Sequence, residues 1–282
     1  MSWTVRSLLF WAREWLAKKG TESPRLDAEL LLASALGCDR TRLYIDIDKP
    51  VAAEELARFK KLMQRRGARE PVAYILGVKE FYGRPFAVES GVFIPRPETE
   101  VLVQLALEAL PRDEPFRALD LCAGSGAVGL SIAAERLQAQ VDLVERSPAA
   151  AEIAARNAEK LAPGRARVHQ GDLYAALPEK ARYLAITANP PYLAHGEGTQ
   201  LTPDITDYEP REALFGGDDG LEVQRRVIAS VSDWLAPGGL FGTEIGPSQA
   251  ESVVALCKAA GLSAVRVERD LAGLDRHVIA RA

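Results

Sequence analysis

Arg117-Ala118-Leu119-Asp120-Leu121-Cys122-Ala123-Gly124-Ser125-Gly126 decides how the rest of the chain is read. Its first half is a short apolar run of strand length, and its second half is a tight glycine loop that opens a helix through Arg136. Such a loop lets the backbone approach a ligand, and the helix N-terminus behind it faces the same cleft. The alternation then repeats. Val141-Asp142-Leu143-Val144-Glu145 reads as a second strand, Ser147-Pro148 caps the next helix, and Ala166–Gln170 is a third strand ending at Gly171-Asp172-Leu173. Tyr183–Thr187 is a fourth strand. A helix over 221–235, a strand over 240–245, a helix over 248–260 and two closing strands complete the pattern. Strand–helix alternation of this kind predicts an α/β fold built on a parallel sheet.

The fourth strand runs into Ala188-Asn189-Pro190-Pro191-Tyr192. Two prolines cannot continue a ladder, because each lacks an N–H, and the first pushes Asn189 out of the helical region. The strand therefore stops at Asn189 on a stiff turn. Ligands of open α/β sheets bind outside the carboxyl ends of the strands. An Asn held there offers a carbonyl acceptor, and the Pro190 carbonyl offers a second. Two acceptors suit the two hydrogens of a planar –NH2 group, with Tyr192 as an aromatic face. The plain alternative is a loop with an Asx turn.

Glu145 ends the second strand about 20 residues after the glycine loop, the spacing of an acid that grips ribose hydroxyls. Strand, loop, helix, strand and acid together suit NAD, FAD or S-adenosylmethionine. Three details favour the last. Cys122 stands where a dinucleotide loop has its first glycine; Asp172-Leu173 offers a carboxylate and an apolar wall to an adenine; and Asn-Pro-Pro-Tyr supplies the –NH2 acceptor site. The predicted cofactor contacts are thus Cys122, Ala123, Gly124, Ser125, Gly126, Glu145, Asp172, Leu173 and Asn189, with Cys122 a packed thiol. The plain alternative for Glu145 and Asp172 is a solvated strand end.

Before this region, the first seventy residues read as helices. Trp3, Leu8, Trp11, Trp15 and Leu16 fall on one face of the first. Ser23-Pro24 opens a second, with Leu26, Leu30, Leu31 and Ala35 as its stripe and Gly37 as its stop. A third, Ala52 to Arg66, turns Leu56, Phe59, Leu62 and Met63 inward. Its Lys60-Lys61 and Arg65-Arg66 are either a solvated basic face or a docking surface. Lys79–Tyr82 and Phe86–Val88 form a hairpin between two domains, followed by Ile94-Pro95-Arg96-Pro97-Glu98-Thr99-Glu100 and a helix through Leu110. Arg96 and these acids line the mouth of a cleft, or Glu98 and Thr99 simply cap the helix. The organisation expected is a helical domain over 1–70, a hairpin linker over 71–95 and a catalytic domain over 96–282. A polar loop, 194–210, is long enough to be a lid.

The chain has 282 residues, 48% hydrophobic and 26% charged, with a net charge of -4. That balance is ordinary for a globular protein and advertises neither a nucleic-acid nor a membrane partner. Three scattered cysteines, Cys38, Cys122 and Cys257, argue against disulfides or a metal site and point to a reducing, cytoplasmic setting. The first residues, with acidic Glu14, read as a domain helix rather than a signal peptide.

Asp120–Gly126 with Asn189-Pro190-Pro191-Tyr192 resembles class I methyltransferases that act on a planar amide or amine nitrogen. Gly77-Val78-Lys79-Glu80-Phe81, Ile94–Glu100 and Tyr208-Glu209-Pro210, with the helical N-terminal domain, narrow the resemblance to the peptide chain release factor glutamine methyltransferases. It covers nearly the whole chain, and it implies a Rossmann-like sheet, S-adenosylmethionine as cofactor, release factors as partners and the Gln of their Gly-Gly-Gln motif as the methylated residue. Cys122 replaces the usual first loop glycine and Tyr208 a frequent Phe; neither removes a group the chemistry needs. Catalysis falls to Asn189, Pro190 and Tyr192, with Pro191 and Arg96 also touching substrate. His195 is expected to be a polar loop residue, the released proton going to water. Two other readings are an adenine or cytosine amino-methyltransferase acting on nucleic acid, and a non-catalytic module stabilised by cofactor.

Overall fold

The computed structural model describes residues 3–282. They divide into two compact units: the chain up to Val78 together with Thr202–Tyr208, and Lys79–Leu201 together with Glu209–Ala282.

The larger unit contains, apart from the first residue of β1, a two-stranded hairpin, β1 (Val78–Phe81) and β2 (Arg84–Ala87), and a seven-stranded sheet. The sheet strands are β3 (Phe116–Leu121), β4 (Ala139–Glu145), β5 (Ala166–Gln170), β6 (Tyr183–Ala188), β7 (Leu235–Glu244), β8 (Ser263–Arg269) and β9 (Asp275–Arg281). Their order is β5-β4-β3-β6-β7-β9-β8. Strands β3 to β7 pair in parallel, and β9 runs antiparallel between β7 and β8. The sequence predicts the strands and the parallel run, but nothing in it announces that the last strand inserts between the two before it.

Alternating side chains on a strand point to opposite faces, and two cores follow. Phe116 and Ala118 of β3, Leu240 of β7 and Ile279 of β9 join the core under the helices Glu100–Ala109 and Ala127–Glu135. Leu119 and Leu121, Phe241, and Val278 and Ala280 join the other, under the helices Glu222–Trp234 and Ala250–Ala259. β3 has β4 on one side and β6 on the other, so the order reverses there, and a crevice opens at the carboxyl ends of these strands.

The hairpin is not a linker. Phe81 and Phe86 pack edge to face, 5.9 Å between centroids, and both sit in the same core as Leu102 and Val103. Its turn, Tyr82-Gly83, has φ of 49° and 68°, the twist that suits a two-residue hairpin. Buried Asn157 accepts from Ala87 N at 2.8 Å and donates to Ala87 O at 3.1 Å and to Ser125 O at 2.9 Å, so one amide ties the hairpin to the glycine loop. The boundary accordingly falls after Val78 rather than at 70 or 95.

The smaller unit packs the helices Val5–Lys18, Pro24–Leu36, Arg40–Ile45, Ala53–Gly67 and Val72–Leu76 around Leu8, Leu16, Leu31, Leu32, Phe59 and Met63. The sequence misses the third and fifth. It also misplaces two stripes. Trp3 and Trp11 remain 39% and 41% exposed, forming an aromatic ladder with Trp15 over the surface, while Val5, Leu8, Ala12 and Leu16 face inward. Leu26 is exposed, and Asp27 and Glu29 are buried in its place. Arg66 is no solvated cation: it is buried, with Nε 2.6 Å from Asp27 and Nη1 2.7 Å from Asp204. Arg69 also pairs with Asp204, and the Tyr208 hydroxyl donates to Ala68 O at 2.6 Å. The loop 194–210 is therefore more ordered than its composition suggests. It holds a 3₁₀ turn, His195–Gln200, and a helical turn, Pro203–Thr206, the second belonging to the helical unit.

Candidate active site

Sheet register builds the site. Leu121 pairs with Val144 on one side and Ala188 on the other, and Ala188 pairs with Thr243, which faces Val278. One step further along these strands stand Cys122, Glu145, Asn189 and Glu244, with His277 opposite Glu244. Residues far apart in sequence thus form one row across the carboxyl ends. A cleft of about 400 Å³ opens there, lined by Cys122–Ser125, Glu145, Asp172-Leu173 and all four residues Asn189–Tyr192.

The glycine loop closes on itself through positive φ at Cys122 (55°), Gly124 (56°) and Gly126 (82°). Cys122 and Leu173 (φ 48°) are non-glycine residues in left-handed backbone, a conformation that costs energy and gathers at ligand sites. A Cβ on Gly129 would lie 2.3 Å from Leu143 Cδ2, so only glycine lets this helix approach the sheet so closely. Glu145 spans the gap between elements: Oε2 accepts from Gly124 N and Oε1 from Ser147 N, each at 2.8 Å.

Beneath the loop, buried Asp120 accepts from Gly129 N at 2.9 Å and from the Thr187 hydroxyl at 2.8 Å. Burial nevertheless dominates and pushes its carboxyl up to about 7. The Cys122 thiol is raised well above its ordinary value, by burial first and by the carboxylates of Glu145 and Asp120 next. It is a packed neutral thiol, not a nucleophile.

Several features match a nucleoside-bearing cofactor such as S-adenosylmethionine. Ser125 Oγ is buried without a hydrogen-bond partner among the described residues. The Gly124 Cβ position meets nothing within 4 Å, so the loop leaves space above it. Glu145 stands at the strand end with spare lone pairs for hydroxyls. Asp172 lines the cleft, where Arg226 Nη2 holds it at 2.5 Å.

The acceptor turn is clamped from three sides. Gln249 Nε2 donates to Tyr192 O at 2.8 Å, while Gln249 Oε1 accepts from Gly246 N at 2.9 Å. Gly216 and Gly220 press on the turn so closely that a Cβ would sit 2.3 Å from Pro191 O and 2.2 Å from Tyr192 O. Asn189 Nδ2 donates to Thr99 Oγ1 at 3.3 Å, and Thr99 Oγ1 donates to Glu244 Oε2 at 2.6 Å. Asn189 Oδ1 and the Pro190 carbonyl accept nothing among the described residues. Tyr192 is half-buried, and that desolvation, with the neighbouring Glu244 carboxylate, pushes its phenol up to about 12.

Two residues singled out in the sequence lie elsewhere. Arg96 is not part of the lining; its guanidinium pairs with buried Glu209 and lies 4.9 Å over the Phe93 ring, while Glu209 also accepts from Ile94 N. It pins the loop before the helix Glu100–Ala109. His195 is exposed beside Asp218, 3.1 Å away, and is not part of this cleft's lining.

Comparison with known proteins agrees with this geometry. Residues 7–77 match the family described as PrmC N-terminal domain, and residues 85–207 the Methyltransferase small domain. The chain is 42% identical over 98% of its length, and 96% of the relative's, to a protein of Geobacter sulfurreducens named release factor glutamine methyltransferase. The chain belongs to the release factor glutamine methyltransferase family. A relative with the same name from Burkholderia pseudomallei is 43% identical over 89% of this chain and 90% of its own. A solved methyltransferase from Pyrococcus furiosus shares the fold at 18% identity, with a TM-score of 0.54 over 79% of this chain and 96% of that one.

For a methyltransferase of this family, sequence reading misses Thr99, Glu244 and Gln249. Thr99 stands two residues after Ile94-Pro95-Arg96-Pro97 but reads as a cap, and its side chain makes no capping bond. Glu244 is found only through strand register, and Gln249 only through its bonds to Gly246 N and Tyr192 O.

Proposed function

We propose that this chain transfers the methyl group of S-adenosylmethionine to the side-chain N5 nitrogen of the glutamine in the Gly-Gly-Gln motif of peptide chain release factors. The observation that carries this reading is the pair of open acceptors, Asn189 Oδ1 and the Pro190 carbonyl, lining the same cleft as the glycine loop. The names of the relatives supply the substrate class.

S-adenosylmethionine brings an electrophilic sulfonium methyl. Glycine-loop amides, Glu145, Asp172 and Leu173 would hold and orient it, and its methyl–sulfur bond would break as the carbon–nitrogen bond forms, leaving neutral S-adenosylhomocysteine. A carboxamide nitrogen is a poor nucleophile because its lone pair is delocalised. The turn offsets this by placing two acceptors where the nitrogen's hydrogens become acidic as the new carbon–nitrogen bond forms. Tyr192 packs on the amide plane, with its phenol neutral at all ordinary pH values. One N–H proton then leaves to water. Holding the nitrogen in line with the methyl carbon supplies the entropic part of the acceleration. The helical unit recognises the body of the release factor, since one glutamine offers too little surface to distinguish its protein.

The test is transfer of a labelled methyl group to a release factor, to a free Gln peptide and to duplex DNA. Preferential labelling of the release factor, lost when its Gly-Gly-Gln glutamine is replaced, is the expected result. Labelling of DNA instead would establish a nucleic-acid amino-methyltransferase, and cofactor binding without transfer to any probe a non-catalytic module.

A further inference from the structure

Asn189 is useful as an acceptor only if its amide faces one way. The two ends of a primary amide are nearly equal in size, and rotation by 180° would turn an –NH2 group toward the substrate's own –NH2, donor against donor. Something must set the direction, and the prolines do not, because they restrain only the backbone.

Thr99 supplies the restraint. Its hydroxyl has a single hydrogen, which is committed to Glu244 Oε2 at 2.6 Å. The oxygen is left able only to accept, and the group it faces is Asn189 Nδ2 at 3.3 Å. Glu244 in turn is buried at the end of β7, in the row that contains Asn189, and a carboxylate is acceptor-only. The direction of each bond therefore follows from the next: carboxylate, hydroxyl, amide nitrogen, and finally Oδ1 toward the cleft. Thr99 is itself 3% exposed, so water does not replace its hydroxyl. The side chain is set by the 3₁₀ turn Pro97–Thr99, which the prolines at 95 and 97 stiffen.

We propose that Thr99 is a positioning residue for methyl transfer, relaying the polarity of Glu244 so that Asn189 presents its oxygen to the reacting nitrogen. This rests on the function proposed above. Thr99→Val keeps the shape and removes the hydroxyl; Thr99→Ser keeps the hydroxyl. With release factor as substrate, Thr99→Val is expected to lower kcat about tenfold or more, less than deletion of the acceptor itself, which costs on the order of 10²–10³. KM and the calorimetric dissociation constant for S-adenosylmethionine should stay within about threefold, and Thr99→Ser should recover most of the loss. In an Asn189→Ala background, Thr99→Val should cost nothing more, because the group it orients is gone.

Full kcat in Thr99→Val, or a loss that multiplies with that of Asn189→Ala, would overturn the relay. So would a loss explained by weaker cofactor binding. If wild-type protein labels DNA but not release factor, the functional reading fails separately, and the same variants on DNA decide the relay. Inactivity on every probe overturns both.

Discussion

Glu145 Oε2 accepts the backbone N–H of Gly124 at 2.8 Å. The acid at the end of β4 thus shapes the loop at the end of β3 and faces the cleft with the lone pairs that remain. Glu145→Ala is expected to weaken S-adenosylmethionine binding by about 1.5–3 kcal/mol, roughly ten- to a hundredfold, as charge-assisted hydrogen bonds are lost. Calorimetry reads this directly. Glu145→Gln should fall between, since its amide oxygen still accepts one N–H. An unchanged dissociation constant for Glu145→Ala would leave the acid a scaffold only.

Asn189→Ala should act on rate instead. Removing one acceptor that strengthens in the transition state costs on the order of 10²–10³ in kcat. Cofactor affinity should hold within about threefold, as the loop and Glu145 are untouched. Single-turnover labelling at saturating cofactor separates the two effects, and near-normal turnover would remove Asn189 from its role.

Asp120 makes stability depend on pH. Its carboxyl is raised to about 7 in the folded chain against an ordinary value of 3.8, so between these values the folded state holds a proton that the unfolded state has lost. Stability from this group is complete below pH 4 or so and declines as pH rises through about 7. Asp120→Asn accepts from Gly129 N in the same way and does not titrate. The stability of cofactor-free wild type relative to Asp120→Asn should therefore fall between pH 5 and pH 8, by an amount on the order of a few kcal/mol. Urea midpoints at the two pH values measure it, and a constant difference would count against a buried, protonated Asp120.

Asp204 is expected to matter to folding more than to chemistry. It shares Arg66 with Asp27 and pairs with Arg69. Asp204→Ala strips a partner from a buried guanidinium, at a cost of roughly 1–3 kcal/mol. Denaturant unfolding of the helical unit, followed by tryptophan fluorescence from Trp3, Trp11 and Trp15, should shift accordingly, and no shift would show that Asp27 alone suffices.

Local pattern was enough for the sheet strands, the glycine loop and the Asn-Pro-Pro-Tyr turn, because strand period, glycine and proline act on their immediate neighbours. It was not enough for Thr99, Glu244 or Gln249. Their partners lie 90, 145 and 57 residues away, and only the folded chain brings them together, with Glu244 reaching Asn189's row through the pairing of β6 with β7. The partner of Arg96 is hidden for a related reason. An Arg between prolines looks available until buried Glu209, more than a hundred residues on, is seen to occupy it. In the helical unit, Leu26 was read inward because it is apolar, whereas Asp27 is inside because Arg66 neutralises it.

The segment Thr202–Tyr208 has a consequence for how such a protein can be cut or recombined. The chain passes between its two units at 78/79, again at 201/202 and back at 208/209. A gene fragment starting after Val78 therefore carries an orphan, a stretch whose Asp204 and Tyr208 have lost Arg66, Arg69 and Ala68. A single proteolytic nick near residue 78 leaves the N-terminal fragment still gripping that stretch. Exchange of the helical unit between relatives should succeed only when 202–208 travels with it, so that two pieces of sequence are inherited as one part.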